Sequence, residues 1–554
     1  MPLFRLPGRA FAGALIAFLA CIVLAAPAHA DRRTVCTITV NSDDEREVLR
    51  RTLPPADYDF VELVERGRPD WLRGACEKRV RCDVLLISGH FDGGTEFYTD
   101  RLDDRESLPV EEMERVACSE SCPGLFTQLK EVYLMGCNTL NPQPMRTAPG
   151  EVLRSLATFA SVAGDAQRAA DALTERYGES NRDRMRQIFK DVPVIYGFPG
   201  KAPLGRYAGP ILERYLRSGG EFGEGRASAR LLTAFAAGGM TATSGMTDAD
   251  PRAGFRADTC RFVDDRVAPE RKAAHLHDVL RREAAEVRMF FDHIERHASR
   301  MPAADESAEM AQIAGDAGAK SRFVTIARDA DDPAAGVRMA RLAARLGWLD
   351  AAQERALVVD ILASRFRSPA LGAADVDLAC TLNRDGSLDG TFGTFPARGA
   401  RNAAQDAVLA CLGSRDGRDR VLRALASGDD AGATVAHAYL SHRPMADVSE
   451  LRLVTADVAR MSGRGDAQVK ALHALARHEL ADRESLDALA ESFRATKSLE
   501  VQRAIAGVLV RADFHAIAPA DLASALRKQR MKSPDGRDLI DVLIRRLDTA
   551  ASRN

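Results

Sequence analysis

An excess of charge of either sign is missing from this chain. Across 554 residues, 77 lysines and arginines stand against 79 aspartates and glutamates, for a formal net charge of −2. The two signs are interspersed, so nothing points to a nucleic-acid or membrane-surface partner. Beyond residue 30 there is also no apolar run long enough to span a bilayer. A P-loop is lacking, since Gly197-Phe198-Pro199-Gly200-Lys201-Ala202 has neither the hydroxyl residue nor the spacing. No His-Glu-x-x-His occurs. His293 and His297 stand at i, i+4 with His275 and His277 upstream, but Glu295 falls on another face, and a solvated helix accounts for the pair. Asn383 to Gly390 begins like a calcium loop without the closing glutamate, so a turn accounts for it. No cofactor and no metal are expected.

What is present starts with residues 1–30. Arg5 and Arg9 precede an apolar run from Ala10 to Ala26, and Ala28-His29-Ala30 offers small residues for cleavage. This reads as a secretory signal peptide with Asp31 opening the mature chain, the alternative being an uncleaved anchor. The mature protein is expected to be soluble and exported, periplasmic or secreted, with no membrane span after cleavage. Export alters the cysteine arithmetic. Of ten cysteines, Cys21 leaves with the signal, and nine remain: Cys36, Cys76, Cys82, Cys118, Cys122, Cys137, Cys260, Cys380 and Cys411. An odd number in an oxidising compartment implies a free thiol, and Cys137, preceded by glycine at the end of an apolar run, is the candidate. Pairing of the other eight stays open. Cys118 and Cys122 are near enough for a local clip. A zinc site from Cys76, Cys82, Cys118 and Cys122 is disfavoured by export and by spacings that miss C-x2-C.

From Thr34 strand and helix patterns alternate. Strands are expected at Thr34–Val40, Tyr58–Val64, up to Ile87, Val132–Met135 and Val194–Tyr196. Helices are expected at Asp43–Thr52, Pro69–Arg79, Pro109–Cys118 and from about Glu151 to Lys190. Such alternation implies a mostly parallel sheet with helices on both faces, an α/β three-layer domain over residues 31–217. Gly197–Arg206 reads as a loop over the sheet's carboxyl edge. Residues 218–268, rich in Gly, Ala, Ser and Thr between Gly219 and Asp258, read as a connector, either mobile or a partly ordered loop. From 269 to 554 the pattern is all helical. Asp466–Leu480 and Ser498–Asp513 match with Val469 opposite Val501, a period of 32, and Ala431–Leu440 and Pro333–Leu346 are fainter copies. Helix pairs at this period imply a solenoid similar to HEAT repeats.

The chemistry concentrates where two apolar runs end. Val84-Leu85-Leu86-Ile87 passes into Ser88-Gly89-His90, and Val132-Tyr133-Leu134-Met135 passes into Gly136-Cys137-Asn138. Buried parallel strands leave their reactive residues just past their carboxyl ends, so a histidine and a cysteine could meet there. With the histidine 47 residues upstream, this pattern resembles the clan CD cysteine peptidases, the caspase-like enzymes. The resemblance covers residues 33–217. It implies His90 as general acid/base and Cys137 as nucleophile, with oxyanion and supporting roles for Gly89, Gly93, Gly136 and Asn138. The family has glycine directly after the histidine, whereas this chain has Phe91, with Gly93 and Gly94 arriving later. The expected function is an exported cysteine endopeptidase acting on a protein or peptide substrate, its repeats binding substrate or a protein partner. The alternative is a catalytically silent scaffold that works through those repeats.

Overall fold

A sheet covered on both faces needs apolar residues at successive positions, and that is how its central strands are built. The computed structural model describes residues 32–63, 72–91, 94–99, 106–119, 121–144, 178–300, 307–330, 332–366, 370–386, 388–389, 391–392, 401–427, 429–445, 447–461, 465–513, 519–531 and 539–551. The expected signal segment, Gly93 and most of the expected helix after Glu151 lie outside them. Described elements run β1 (Arg33–Thr39), α1 (Asp44–Thr52), β2 (Tyr58–Glu62), α2 (Arg73–Glu77) and β3 (Val84–Ser88). A separate antiparallel pair, β4 (Glu96–Tyr98) and β5 (Ser107–Pro109), precedes α3 (Val110–Cys118) and β6 (Glu131–Met135). Then come α4 (Asn181–Ile188), β7 (Val194–Gly197), α5 (Gly205–Arg217), α6 (Ala229–Ala234) and β8 (Thr241–Thr243).

The main sheet has the order β2-β1-β3-β6-β7-β8, parallel throughout except for β8 at the edge. Period-two alternation divides its side chains. Cys36, Ile38, Leu85, Ile87, Val132 and Leu134 pack with Met113 of α3 and Met185 of α4. Val35, Val84, Leu86 and Tyr133 pack with Val48 and Leu49 of α1 and Leu212 of α5. Each aliphatic side chain so buried contributes about 1.5–3 kcal/mol.

The segment read as a mobile or partly ordered connector carries two helices and a strand. Its backbone N–H groups at Gly223, Glu224 and Gly225 donate to the carboxylate of Glu131, at 2.9, 2.9 and 3.0 Å, and the Tyr133 hydroxyl donates to the same group. Gly223 and Gly225 both take positive φ, the left-handed conformation that turns successive N–H groups toward one anion. Further on, β8 adds the sixth strand, and α7 (Ala253–Val263) is tied to α3 by Cys118–Cys260. Small residues here encode close packing.

Two compact units result. The first runs to Phe323 and includes Arg345–Trp348; the second holds Val324–Ala344 and Leu349 onward. The helices α8 (Pro269–Leu280), α9 (Ala284–Met289), α10 (Phe291–Arg300) and α11 (Ala308–Gly315) therefore sit with the sheet, not with the helical half as expected from 269. Polar burial explains the attachment. Glu114 of α3 is ion-paired to Arg184 of α4 at 2.7 Å and lies 3.0 Å from His293 Nε2 of α10, all three buried. Arg184 holds the Glu114 carboxyl far below the usual range despite its burial.

Within the second unit, helices Asp430–His442, Gly465–Leu475, Leu499–Leu509 and Leu539–Ala551 pack each on the next. Helices Val448–Ala459, Arg483–Ala495 and Pro519–Gln529 form a parallel second row. The equivalence differs from the period of 32. Gln468 and Gln502 are both buried and donate to carbonyls near the end of the preceding helix, Val458 O at 3.1 Å and Phe493 O at 3.2 Å. Their separation is 34. The apolar match slipped by two residues because several helix positions carry similar small side chains. The segment after Asn383 is a turn organised by that residue, whose amide bonds Asp389, the Cys411 carbonyl and the Leu388 N–H.

Candidate active site

Strand register brings the two expected residues to the same edge. β3 and β6 are parallel neighbours with Ser88 opposite Met135, so Gly89 and Gly136, then His90 and Cys137, leave the sheet in step. Both residues line one small cleft of about 30 Å³, shared with Asn41, Ser42, Glu45 and the stretch Ala202 to Gly205. Glycine before the cysteine has a steric reason: a Cβ on Gly136 would stand 2.8 Å from the Gly89 carbonyl and 2.9 Å from Phe91 Cβ. The exits can approach this closely only because that side chain is missing.

Cys137 is the free cysteine among the described residues, and it is partly exposed. The other eight pair as Cys36–Cys82, Cys76–Cys122, Cys118–Cys260 and Cys380–Cys411. The local clip that the spacing of Cys118 and Cys122 would allow does not form. Cys118 closes α3 and faces α7, whereas Cys122 lies beyond the turn and reaches back to α2. The same pairs consume every thiol of the zinc reading. Among the described residues no group of three His, Cys, Asp or Glu is placed to hold a metal.

The loop after β7 covers the edge, as its composition implied. Its Ala202 N–H donates to Cys137 Sγ at 3.3 Å, which holds the loop against the cysteine. Asn138 adopts positive φ (60°) and gives its N–H to the Gly200 carbonyl at 2.7 Å. That N–H is thus engaged, and the role of Asn138 is to fix the loop. Its carbonyl accepts from Asn181 Nδ2 at 3.0 Å, which ties the cysteine exit to the first residue of α4. Thr139 adds a second staple, donating to the Gly136 carbonyl and accepting from the Phe198 N–H.

His90 is held through its backbone, which exchanges two 2.9 Å hydrogen bonds with Tyr98 of β4, and its ring lies 5.4 Å from the Tyr98 ring. Phe91 is fully buried, with its ring 4.6 Å from that of Phe97, so its side chain belongs to the core and not to the cleft. Arg184 reaches the Gly94 carbonyl at 3.1 Å, joining this loop to the buried Glu114 pair.

Sequence reasoning missed Glu45. It is 2% exposed, accepts from Ser88 Oγ at 3.1 Å and lines the cleft. Burial pushes its carboxyl up to about 7, partly offset by hydrogen bonds from its own backbone and from Ser88. The available signal was topological: β1 neighbours β3, so residues just past β1 open on the same edge. No protein-family model matches the chain, and neither a curated protein nor a solved structure matches it.

Proposed function

We propose that the sheet unit is a cysteine peptidase domain of the caspase-like kind, with Cys137 as nucleophile and His90 as general acid/base. One observation carries this reading: the free, partly exposed cysteine and a histidine leave adjacent parallel strands in step and line the same cleft. The Cys137 thiolate would attack the scissile carbonyl while His90 protonates the departing amine. Water would then hydrolyse the thioester and return the thiolate. A backbone N–H at Cys137, with one beside the histidine, would face the oxyanion. The two rows of helices are read as HEAT-like repeats that bind substrate or a protein partner. Four disulfides support an oxidising destination, periplasmic or secreted.

Phe91, standing where that family has glycine, favours the alternative of a catalytically silent scaffold. One experiment separates them. Wild type and Cys137→Ala are assayed on broad peptide libraries, with thermal melts to check folding. Hydrolysis by wild type that vanishes in the variant supports the peptidase. Equal inertness of both proteins, with a partner retained by the helical unit, leaves the scaffold.

A further inference from the structure

One turn of helix stands between the two exits of the sheet. α4 starts at Asn181, and Asn181, Asp183 and Arg184 of its first turn are all buried. The Asn181 amide touches both exits. Its Nδ2 donates to the Asn138 carbonyl at 3.0 Å, one residue past Cys137. On the other side its Oδ1 lies close to Gly94, where an added Cβ would stand 2.5 Å from it. Gly94 also takes positive φ (71°), so glycine is needed there for two reasons. Its carbonyl accepts from Arg184 Nη1 at 3.1 Å, while Nε of the same guanidinium grips Glu114 at 2.7 Å. The turn is itself fixed from outside. Ser180 and Asp183 close a capping box, and Arg252 pairs with Asp183 at 3.0 Å.

Filling of space alone does not call for such groups. A buried ion pair is often matched in stability by apolar groups of similar volume, because both charges lose water. What apolar contact lacks is direction. A planar guanidinium anchored on Glu114 aims a second N–H along a fixed line, and an amide wedged between two loops fixes both. Catalysis needs that precision, since a misplacement of about 1 Å can cost about 10²-fold. On the reading of Cys137 and His90 as a dyad, we propose that Asn181 and Arg184 are its positioning residues. Asn181 holds the cysteine exit and Arg184 the loop that follows the histidine. One rigid turn thereby sets the spacing of thiol and imidazole.

The test reads the spacing of the two reactive groups and needs no substrate. The full mature protein is treated with α,α′-dibromoacetone, whose first bromide is displaced by the Cys137 thiol. The second is displaced by the His90 imidazole only when the short ketone bridge spans both groups. Peptide mapping by mass spectrometry gives the share of alkylated chains that are bridged. Wild type should be mostly bridged, and His90→Ala not at all. Asn181→Ala and Arg184→Lys should each lower the bridged share by about threefold or more, with Cys137 still alkylated. Arg184→Lys keeps a cation on Glu114 and gives up the fork that reaches Gly94, which preserves the fold. Gln502→Ala, which strands a carbonyl in the second unit, should bridge like wild type and so separates positioning from stability. On any peptide that wild type cleaves, both positioning variants should lower kcat by about ten- to a hundredfold and leave KM nearly unchanged. Folded variants that bridge as fully as wild type overturn this assignment alone. Wild type alkylated at Cys137 without a bridge to His90 overturns the dyad with it.

Discussion

The sheet unit and the helical rows solve the same burial problem with opposite economies of information. In the first, each long-range contact is specific. Glu131 needs three particular N–H groups some ninety residues later, and Cys118 needs Cys260, 142 residues away. In the second, one contact recurs: Gln468 and Gln502 make the same bond to the helix before them, and each helix packs on the next but one. Irregular pairing can hold unlike groups at one edge to within a fraction of an ångström, which a reaction demands. Repetition holds an extended surface instead. The proposed function divides along the same line, with chemistry assigned to the sheet and recognition to the rows.

That division is open to attack, and the sharpest blow falls on the sheet edge. His90→Ala is expected to lower peptide hydrolysis by about 10²–10⁴-fold with the fold intact, as loss of an acid/base group does; substitutions in the helical rows should change substrate choice with a much smaller effect on turnover. Comparable losses of turnover from both regions would dissolve the comparison. Next come the disulfides. Removing Cys118–Cys260 as a double alanine variant should cost about 5 kcal/mol, and removing Cys380–Cys411, which spans 31 residues, about 4 kcal/mol by loop entropy. Denaturant unfolding of the two variants checks the order.

Glu45 gives a pH signature to the sheet unit. Its carboxyl is raised from 4.5 to about 7 in the folded protein, so folding favours the protonated form. Stability from this group is full below about 4.5, declines as pH rises, and is lost above 7. Glu45→Gln should therefore match wild type at pH near 4 and exceed it at pH near 8 by up to about 3 kcal/mol. A variant equally or less stable at the higher pH would contradict that burial cost. The smallest effect concerns the repeats. Gln502→Ala strands the Phe493 and Gln529 carbonyls and should cost about 2 kcal/mol, and Gln468→Ala, with one carbonyl to lose, about 1 kcal/mol.

Features carried by a local pattern were legible. The apolar runs before His90 and Cys137 identify β3 and β6, and their glycines are required by the close approach of the two exits. The odd thiol count pointed to the cysteine that stays free. What escaped depends on partners remote in sequence. The connector looked mobile because Gly223 and Gly225 have no visible purpose until Glu131 lies between them. Nothing in the helix pattern over Asp43–Thr52 sets Glu45 apart, since its burial follows from β1 lying beside β3. The start of the helical half was set too early because α8 to α11 have ordinary helical patterns, and the pairing of Glu111 and Glu114 of α3 with α10 shows where they attach.

The bond between Cys118 and Cys260 also alters what cutting this chain would mean. Its two ends straddle β6, α4, β7 and β8, so the backbone that carries Cys137 and half of the sheet is enclosed in one covalent ring. A single break anywhere between Cys122 and Cys260 opens the ring but frees neither piece. The nicked protein would keep the mass of the intact one on a gel without reductant and divide in two only when thiol is added. Proteolytic maturation and simple integrity would be indistinguishable by size until the disulfide is reduced, and dilution alone would never separate the halves.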